Sequence, residues 1–185
     1  TCALPILTMM FVHAEVDSIY FIMQIGVMAA LIGFLYFNWH PSSMYMGDTG
    51  SQFLGVFLAA MGIKFLWNAT PPSGDLISAK NLILPMLVFI LPIIDTTTVT
   101  INRLLRGKSP FVGGKDHTTH ALVYLGLNDR QVASVFGIIS LVSLFLVFLI
   151  SQYLDSWNHV YTVLFSGYFL VMFALLFYAS RAAKA

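Results

Sequence analysis

Long uncharged apolar runs alternate with short polar segments along almost the whole chain. A helix needs about 20 residues, at 1.5 Å each, to cross hydrocarbon about 30 Å thick. The runs that approach this length are therefore predicted to be membrane spans, at residues 19–37, 53–67, 82–101, 132–154 and 159–179. The second run is short and contains Lys64, whose long side chain can reach the membrane interface.

The segment before the first span is also apolar but shorter. Residues 3–12 cover only about half a span and lack the basic stretch that opens a signal peptide. We therefore expect a truncated helix there, and we expect the chain to be the C-terminal part of a larger protein. The predicted fold is an all-α polytopic helical bundle, an integral membrane protein with five full transmembrane helices plus the truncated one. Residues 1–185 are predicted to form a single transmembrane domain.

Composition supports the membrane assignment. Hydrophobic residues make up 58% of the chain, charged residues 9%, and the mean hydropathy is +0.84. A water-soluble domain would carry roughly a quarter charged residues, so that class is excluded. The single cysteine, Cys2, excludes an internal disulfide and a cysteine-based metal site.

The basic residues are distributed asymmetrically if the five spans alternate across the membrane. Lys64 and Lys80 fall on one side. The others fall on the opposite side: Arg103, Arg106, Lys108, Lys115, Arg130, Arg181 and Lys184. Because basic residues accumulate in cytoplasmic loops, loops 38–51 and 102–131 and the C-terminus are predicted to be cytoplasmic.

The first candidate site is in loop 38–51, which contains Met46-Gly47-Asp48-Thr49-Gly50-Ser51. Gly47 lets a ligand approach the backbone, and the following helix N-terminus favours anions. A carboxylate at such a position is explained by a bound cation, and Mg²⁺ takes one or two carboxylates together with phosphate oxygens. Asp48 is therefore the predicted metal ligand, with Mn²⁺ as the alternative ion. The competing interpretation is that Asp48 only caps the helix.

The second candidate is Asp95, in a span that Pro85 and Pro92 are predicted to kink. At about 100° per residue, Asp95, Asn102 and Arg106 are predicted to lie on one stripe of the helix. An ionisable residue in a membrane helix usually faces the bundle interior or an aqueous cavity and indicates function. The alternative is an internal contact of Asp95 with an arginine or a threonine that orients the helices.

The third candidate is loop 102–131. Arginine and lysine supply charge for phosphate groups, and histidine supplies directed donors, so this set suits a diphosphate. Two alternatives stay open: a zinc site at the two histidines, and a basic anchor for anionic lipid headgroups. The residues are Arg103, Arg106, Lys108, His117 and His120.

Together these blocks resemble a known family. They are Met46-Gly47-Asp48-Thr49-Gly50-Ser51, Pro92-Ile93-Ile94-Asp95-Thr96, Arg103-Leu104-Leu105-Arg106-Gly107-Lys108-Ser109-Pro110-Phe111 and residues 117–120. Their order and spacing resemble the C-terminal half of a polyprenyl-phosphate N-acetylhexosamine-1-phosphate transferase of glycosyltransferase family 4. The undecaprenyl-phosphate GlcNAc-1-phosphate transferase branch is the closer match, because Thr118 and Thr119 replace the middle of the triple-histidine pattern of the phospho-MurNAc-pentapeptide branch.

The resemblance implies a multi-pass enzyme of the bacterial inner membrane with about ten or eleven helices. Such an enzyme transfers a sugar-1-phosphate, here GlcNAc-1-phosphate, from a UDP-sugar to undecaprenyl phosphate at the cytoplasmic face. It releases UMP, uses Mg²⁺ and initiates synthesis of cell-envelope polysaccharides such as lipopolysaccharide or teichoic acid. The implied partners are these two substrates and the lipid bilayer, without nucleic acid, and a homodimer stays open.

The resemblance also implies roles for individual residues. Asp48 is the magnesium ligand and, with His117, a catalytic residue. The substrate-binding residues are Gly47, Asp95, Arg103, Arg106, Lys108, His117 and His120.

One departure concerns the family's upstream motifs. Its aspartate-rich motif and its Asn-x-x-Asp segment have no match in residues 1–38, so this chain alone is expected to be inactive. Two rival functions are a transporter half, since broken helices also occur in transporters, and a noncatalytic membrane assembly subunit.

Overall fold

A computed structural model describes residues 18–38, 43–68, 78–111, 116–154 and 156–183. The truncated helix predicted at residues 3–12 lies outside the described residues. The described helices are α1 (Ile19–Asn38), α2 (Gly47–Gly62), α3 (Ala79–Val88), α4 (Ile90–Leu104), α5 (Thr118–Tyr124), α6 (Asp129–Tyr153) and α7 (His159–Ala182). A π-helical turn, Ile63–Trp67, continues α2.

Four of the described helices are long and apolar enough to cross a membrane: α1, α2 with its π turn, α6 and α7. The bent pair α3 and α4 makes a fifth span if it is counted as one. The predicted all-α polytopic membrane fold is therefore confirmed. The second span is longer than predicted, because Gly47 to Ser51 form the first turn of α2 and not the end of a loop.

The third predicted span bends by 80° between α3 and α4. Phe89 leaves helical geometry at the bend, with φ −95° and ψ 21°. Pro92 has no N–H to donate to the carbonyl of Val88, and Pro85 interrupts the preceding turn in the same way. The predicted kink is confirmed, but it is one sharp break between the two prolines.

Two polar contacts show which helix ends share a side of the bundle. Lys80 Nζ, at the start of α3, donates to the Leu154 carbonyl after α6, at 2.7 Å. Asn102 Nδ2, near the end of α4, donates to Ser180 Oγ near the end of α7, at 2.9 Å. The ends of α4 and α7 therefore lie together with the start of α6, opposite Lys80. We call this side the basic end, and its described basic residues are Arg103, Arg106, Lys108, Arg130 and Arg181.

Contacts between α1 and α2 extend this arrangement. Gln24 of α1 is buried and donates through Nε2 to the Met61 sulfur at 3.7 Å. Lys64 lies 4.6 Å from the centre of the Tyr20 ring, a cation–π contact. The π turn that contains Lys64 also packs against α3. The last turn of α2 is thus at the Lys80 side, and its first turn, with Asp48, is at the basic end.

The buried apolar side chains of the described residues form two clusters. One joins the end of α2 to α3, α6 and α7 and includes Leu66, Leu84, Leu87, Val147 and Ile150. The other lies beneath the basic end and joins α4, α5, α6 and α7; it includes Ile90, Ile94, Leu122, Phe136 and Leu176. The second cluster fixes the short helix α5 against the longer helices.

Replacing Gly107 tests how α4 ends. Gly107 has φ +66° and donates to Leu104 O at 3.0 Å, while Lys108 donates to Arg103 O at 2.9 Å. These are the two bonds of a Schellman motif, which requires a left-handed residue. An added Cβ meets nothing within 4 Å, so Gly107→Ala should cost about 1–2 kcal/mol through the backbone alone. Thermal unfolding of the full-length protein in detergent measures this.

The matched control is Gly137→Ala within α6, where an added Cβ also has open space. Alanine is the better helix former, so this variant should be as stable as the parent or more stable by up to about 1 kcal/mol. Equal melting temperatures for the two variants would contradict the assigned left-handed turn.

Candidate functional site

The Asp95 carboxylate makes three short polar contacts at the basic end. Asp95 Oδ1 accepts two hydrogen bonds from Thr118, one from the backbone N–H and one from the hydroxyl, each at 2.7 Å. Asp95 Oδ2 lies 2.7 Å from His117 Nδ1. Asp95 is on α4, and the other two residues begin α5, so this carboxylate joins the two helices. The alternative of an Asp95–threonine contact between helices is observed.

His117 precedes the first residue of α5 with extended backbone angles. Its side chain is 51% exposed, whereas that of Asp95 is 26% exposed. An ionised carboxylate has only acceptor sites, so it takes a hydrogen from His117 Nδ1. The Nε2 atom of the ring is then the nitrogen left for a ligand.

Arg103 organises the loop between α4 and α5. Its Nε is 3.1 Å from Asp116 Oδ2, and its Nη1 donates to the Pro110 carbonyl at 3.1 Å. The Arg103 side chain is only 8% exposed. The guanidinium therefore joins Pro110 and Asp116, which both lie between α4 and α5, to the end of α4. Its role in binding substrate stays a prediction.

The predicted stripe holds for Asp95 and Asn102, which are seven residues apart on α4, but it does not extend to Arg106. Asn102 is buried against Ser180. Arg106 lies beyond the end of α4, because the turn at Gly107 terminates the helix. The helical periodicity that predicts the stripe does not continue past the left-handed turn at Gly107.

Arg106, Lys108 and His120 are exposed. The two cations belong to the turn after α4, and His120 belongs to the first turn of α5, three residues after His117. These groups lie at the same end of the bundle as the Asp95–His117 pair. Their roles as ligands for phosphate groups stay predictions.

Asp48 lies in the exposed first turn of α2 and does not cap it. The residue before the helix is Met46, and no side chain there makes a capping hydrogen bond. Gly47 enters the helix with φ +70°, a conformation that favours glycine. Ser51 Oγ donates to the backbone carbonyl of Asp48 at 3.0 Å and not to its carboxylate, and Asp48 is exposed. The helix-cap interpretation is thus not observed.

The structure allows a simple test of metal fit. Within the described residues, no three His, Cys, Asp or Glu side chains are grouped as metal ligands. A zinc site at His117 and His120 therefore lacks further ligands in that part of the chain. Mg²⁺ differs, because it keeps several waters and binds substrate phosphates through only one or two carboxylates. An exposed Asp48 fits that requirement, although the described residues contain no hydrogen bond or ion pair between Asp48 and the basic loop.

A cavity of about 420 Å³ opens between α4, α5 and α6. Its walls are mainly apolar, with three ionisable side chains among them: Asp95, His120 and Asp129. The apolar lining residues include Leu91, Pro92, Val123, Val132 and Phe136. The cavity therefore offers an apolar surface next to a carboxylate and an imidazole.

Asp129 was not identified from the sequence. It is the first residue of α6 and lies within a capping box in which Asn128 and Gln131 bond reciprocally at 2.9 Å. The pattern Asn-x-x-Gln before an apolar run is a recognisable helix start and could have located Asp129. That Asp129 lines a cavity with Asp95 depends on tertiary packing.

A sequence profile described as "Glycosyl transferase family 4" matches residues 1–66. This segment includes the Met46–Ser51 block. Over these residues the chain is similar to glycosyl transferase family 4. This similarity agrees with the resemblance carried by the loop motifs.

Curated relatives support the same family. The chain is 30% identical over 120 residues to a "Probable undecaprenyl-phosphate N-acetylglucosaminyl 1-phosphate transferase" of Bacillus subtilis, covering 65% of this chain and 32% of that protein. It is 28% identical over 129 residues to a "Decaprenyl-phosphate N-acetylglucosaminephosphotransferase" of Mycobacterium tuberculosis, covering 64% and 31%. It is 32% identical over 125 residues to a "Phospho-N-acetylmuramoyl-pentapeptide-transferase" of Wolinella succinogenes, covering 66% and 31%.

The matched parts amount to about a third of the length of these curated relatives. No solved structure matches the chain significantly.

Replacing Arg103 tests its role in the loop. Arg103→Lys keeps the charge but cannot bond both Asp116 and Pro110 in the same fork geometry. A hydrogen bond to a charged group contributes about 1.5–3 kcal/mol, so trypsin should cleave after Lys108 roughly tenfold faster. Limited proteolysis of membrane vesicles that expose this end measures the rate.

Arg106→Lys is the matched control, because Arg106 is exposed and the change preserves a trypsin site. Trypsin should cleave this variant after Lys108 at the parental rate. Equal cleavage of both variants would show that Arg103 does not hold the loop.

Proposed function

We propose that the full-length protein transfers GlcNAc-1-phosphate from UDP-GlcNAc to undecaprenyl phosphate and releases UMP. The reaction takes place at the cytoplasmic face of the bacterial inner membrane and initiates synthesis of a cell-envelope polysaccharide. The names of the Bacillus and Mycobacterium relatives support a polyprenyl-phosphate acceptor and a GlcNAc-1-phosphate group. The observation that carries the proposal is the clustering of cations and a carboxylate-held imidazole at the same end of the bundle as Asp48.

The donor's diphosphate fits the charges of this end. Arg106 and Lys108 are exposed cations on the turn after α4, and His117 has one ring nitrogen left for a ligand. Cations and directed N–H groups are the usual partners of phosphate oxygens. The excess of basic residues here also supports the cytoplasmic orientation, since UDP-sugars are cytoplasmic metabolites and basic loops stay inside.

A lipid phosphate fits the neighbouring surface. Leu104, Leu105 and Phe111 are 60%, 66% and 95% exposed, and they flank the two cations of the same turn. Apolar side chains next to basic ones are typical of a segment at the membrane interface. A phosphate on a long isoprenoid chain combines the same two chemistries.

The transfer is a displacement at phosphorus. An oxygen of undecaprenyl phosphate attacks the β-phosphorus of UDP-GlcNAc and forms a new phosphorus–oxygen bond. The bond from that phosphorus to the bridging oxygen breaks, and this oxygen leaves on UMP with the electron pair. Mg²⁺, when held by Asp48, would neutralise charge on the diphosphate. His117, Arg106 and Lys108 bind the phosphate oxygens and stabilise the charge that develops on them.

The rival functions have less support. Transport sites lie near the bilayer midplane, often at broken helices such as the one between α3 and α4. However, the ionisable side chains of the candidate site gather at one end of the bundle. A noncatalytic subunit would not need an exposed carboxylate such as that of Asp48 at the basic end. Nucleotide-sugar turnover by the full-length protein distinguishes these possibilities.

Asp48→Asn tests the proposed magnesium ligand. The amide keeps the size of the side chain but removes the negative charge that Mg²⁺ needs. In the full-length protein, UMP release from UDP-GlcNAc and undecaprenyl phosphate should fall by about 10²-fold or more, with unchanged expression. The measurement is UMP release against Mg²⁺ concentration.

Asp155→Asn is the matched control, since it makes the same chemical change between the predicted spans 132–154 and 159–179, on the side of the membrane opposite Asp48. It should retain parental turnover. Near-normal, Mg²⁺-dependent turnover by Asp48→Asn would refute the ligand assignment.

His117→Ala tests the proposed contact with the diphosphate. Loss of the imidazole should lower UMP release by roughly 10²-fold, because a positioned donor near the reacting phosphates is lost. His159→Ala, at the exposed start of α7 on the opposite side, serves as control. If His117→Ala lowers only the amount of protein and not turnover per molecule, the imidazole has a structural role.

A further inference from the structure

We propose that Asp95 is a positioning residue for His117. It keeps hydrogen on Nδ1 and stabilises the imidazolium, so that the charged ring presents Nε2–H to the phosphate groups of the substrate. This inference rests on the proposed function for its kinetic consequence, but the state of the ring can be measured without any turnover.

Thr118 fixes the Asp95 carboxylate independently of the contact with His117. Asp95 Oδ1 already accepts from the N–H and the hydroxyl of Thr118, each at 2.7 Å. Thr118 is buried, and the adjacent Ile94 of α4 is fully buried in the core beneath the basic end. The carboxylate therefore has one defined rotation, with Oδ2 aimed at the imidazole.

This fixed rotation decides the hydrogen bond to the ring. Oδ2 lies 2.7 Å from His117 Nδ1, and an ionised carboxylate can only accept. Nδ1 must therefore carry hydrogen, as in other histidines that a carboxylate orients. The same carboxylate stabilises the imidazolium when the ring is charged, and Nε2–H then donates to a phosphate oxygen.

A direct contact between Asp95 and substrate is less consistent with this geometry. Both carboxylate oxygens already have partners, and a carboxylate repels a diphosphate. The sequence-based expectation that Asp95 binds substrate is therefore replaced by a role through His117.

Asp95→Asn changes the ring while keeping the shape of the side chain. The amide oxygen can still accept from Thr118, but the amide NH₂ then faces His117 Nδ1 and donates to it. The neutral ring must carry its proton on Nε2. Without the carboxylate the imidazolium loses its stabilising partner, so the charged Nε2–H donor to the phosphate groups is lost. We expect kcat to fall by about 10²-fold or more, with a change of less than about threefold in KM for UDP-GlcNAc.

The direct readout is the ¹⁵N spectrum of the imidazole in the full-length protein, reconstituted in lipid nanodiscs with labelled histidine. His117→Gln identifies the His117 signals. The parent should show the Nδ1–H tautomer when neutral, and Asp95→Asn should show the Nε2–H tautomer. A parent ring protonated on Nε2 would overturn the proposal even if Asp95→Asn failed to fold.

Thr118→Val is the matched control. It removes one hydrogen bond to Asp95 Oδ1 but leaves the contact between Oδ2 and His117. It should keep the Nδ1–H tautomer, whatever its effect on stability. The same tautomer in Asp95→Asn as in the parent would also overturn the proposal. If no protein releases UMP while the tautomers behave as expected, the proposed function fails and the positioning role stands.

Discussion

A carboxylate within a membrane helix must be given hydrogen-bond donors, and the basic end is organised around that requirement. Asp95 receives its donors from residues at the start of α5. The interaction therefore joins α4, which is terminated by the turn at Gly107, to the short helix α5, which begins at Thr118. It also determines the orientation of the half-exposed imidazole of His117. The architecture of the candidate site follows from satisfying this one charge.

Two further features make that interaction possible. The break at Phe89 allows α4 to run at 80° to α3, so Asp95 is not aligned with the preceding half of the span. Arg103 then draws Asp116 and Pro110 to the end of α4, which brings the segment before His117 towards Asp95. The break at Phe89 and the guanidinium of Arg103, together with the left-handed turn at Gly107, bring the start of α5 against α4.

Much of the candidate site was recognisable from residue types. The kink between Pro85 and Pro92 follows from the missing N–H groups, and the clustering of basic residues follows from alternation of the spans. The polar stripe through Arg106 failed, because helical periodicity has no meaning beyond a glycine that terminates the helix. The hydrogen-bond partners of Asp95 likewise could not be predicted from the sequence. A carboxylate can pair with any nearby donor, and a threonine and a histidine 22 or 23 residues away become neighbours only through packing.

The sequence by itself determined that the chain spans a membrane with apolar helices and that its polar chemistry lies at one end. The length of apolar segments and the distribution of basic residues between loops are properties of the sequence that determine insertion and orientation in a bilayer directly. The tertiary structure decided which groups act on one another. It buried Asn102 against Ser180, turned Arg103 into the anchor of the loop and joined Asp95 to His117. Those pairings depend on how α4, α5 and α7 pack, because directed hydrogen bonds require both partners to be brought within about 3 Å of each other.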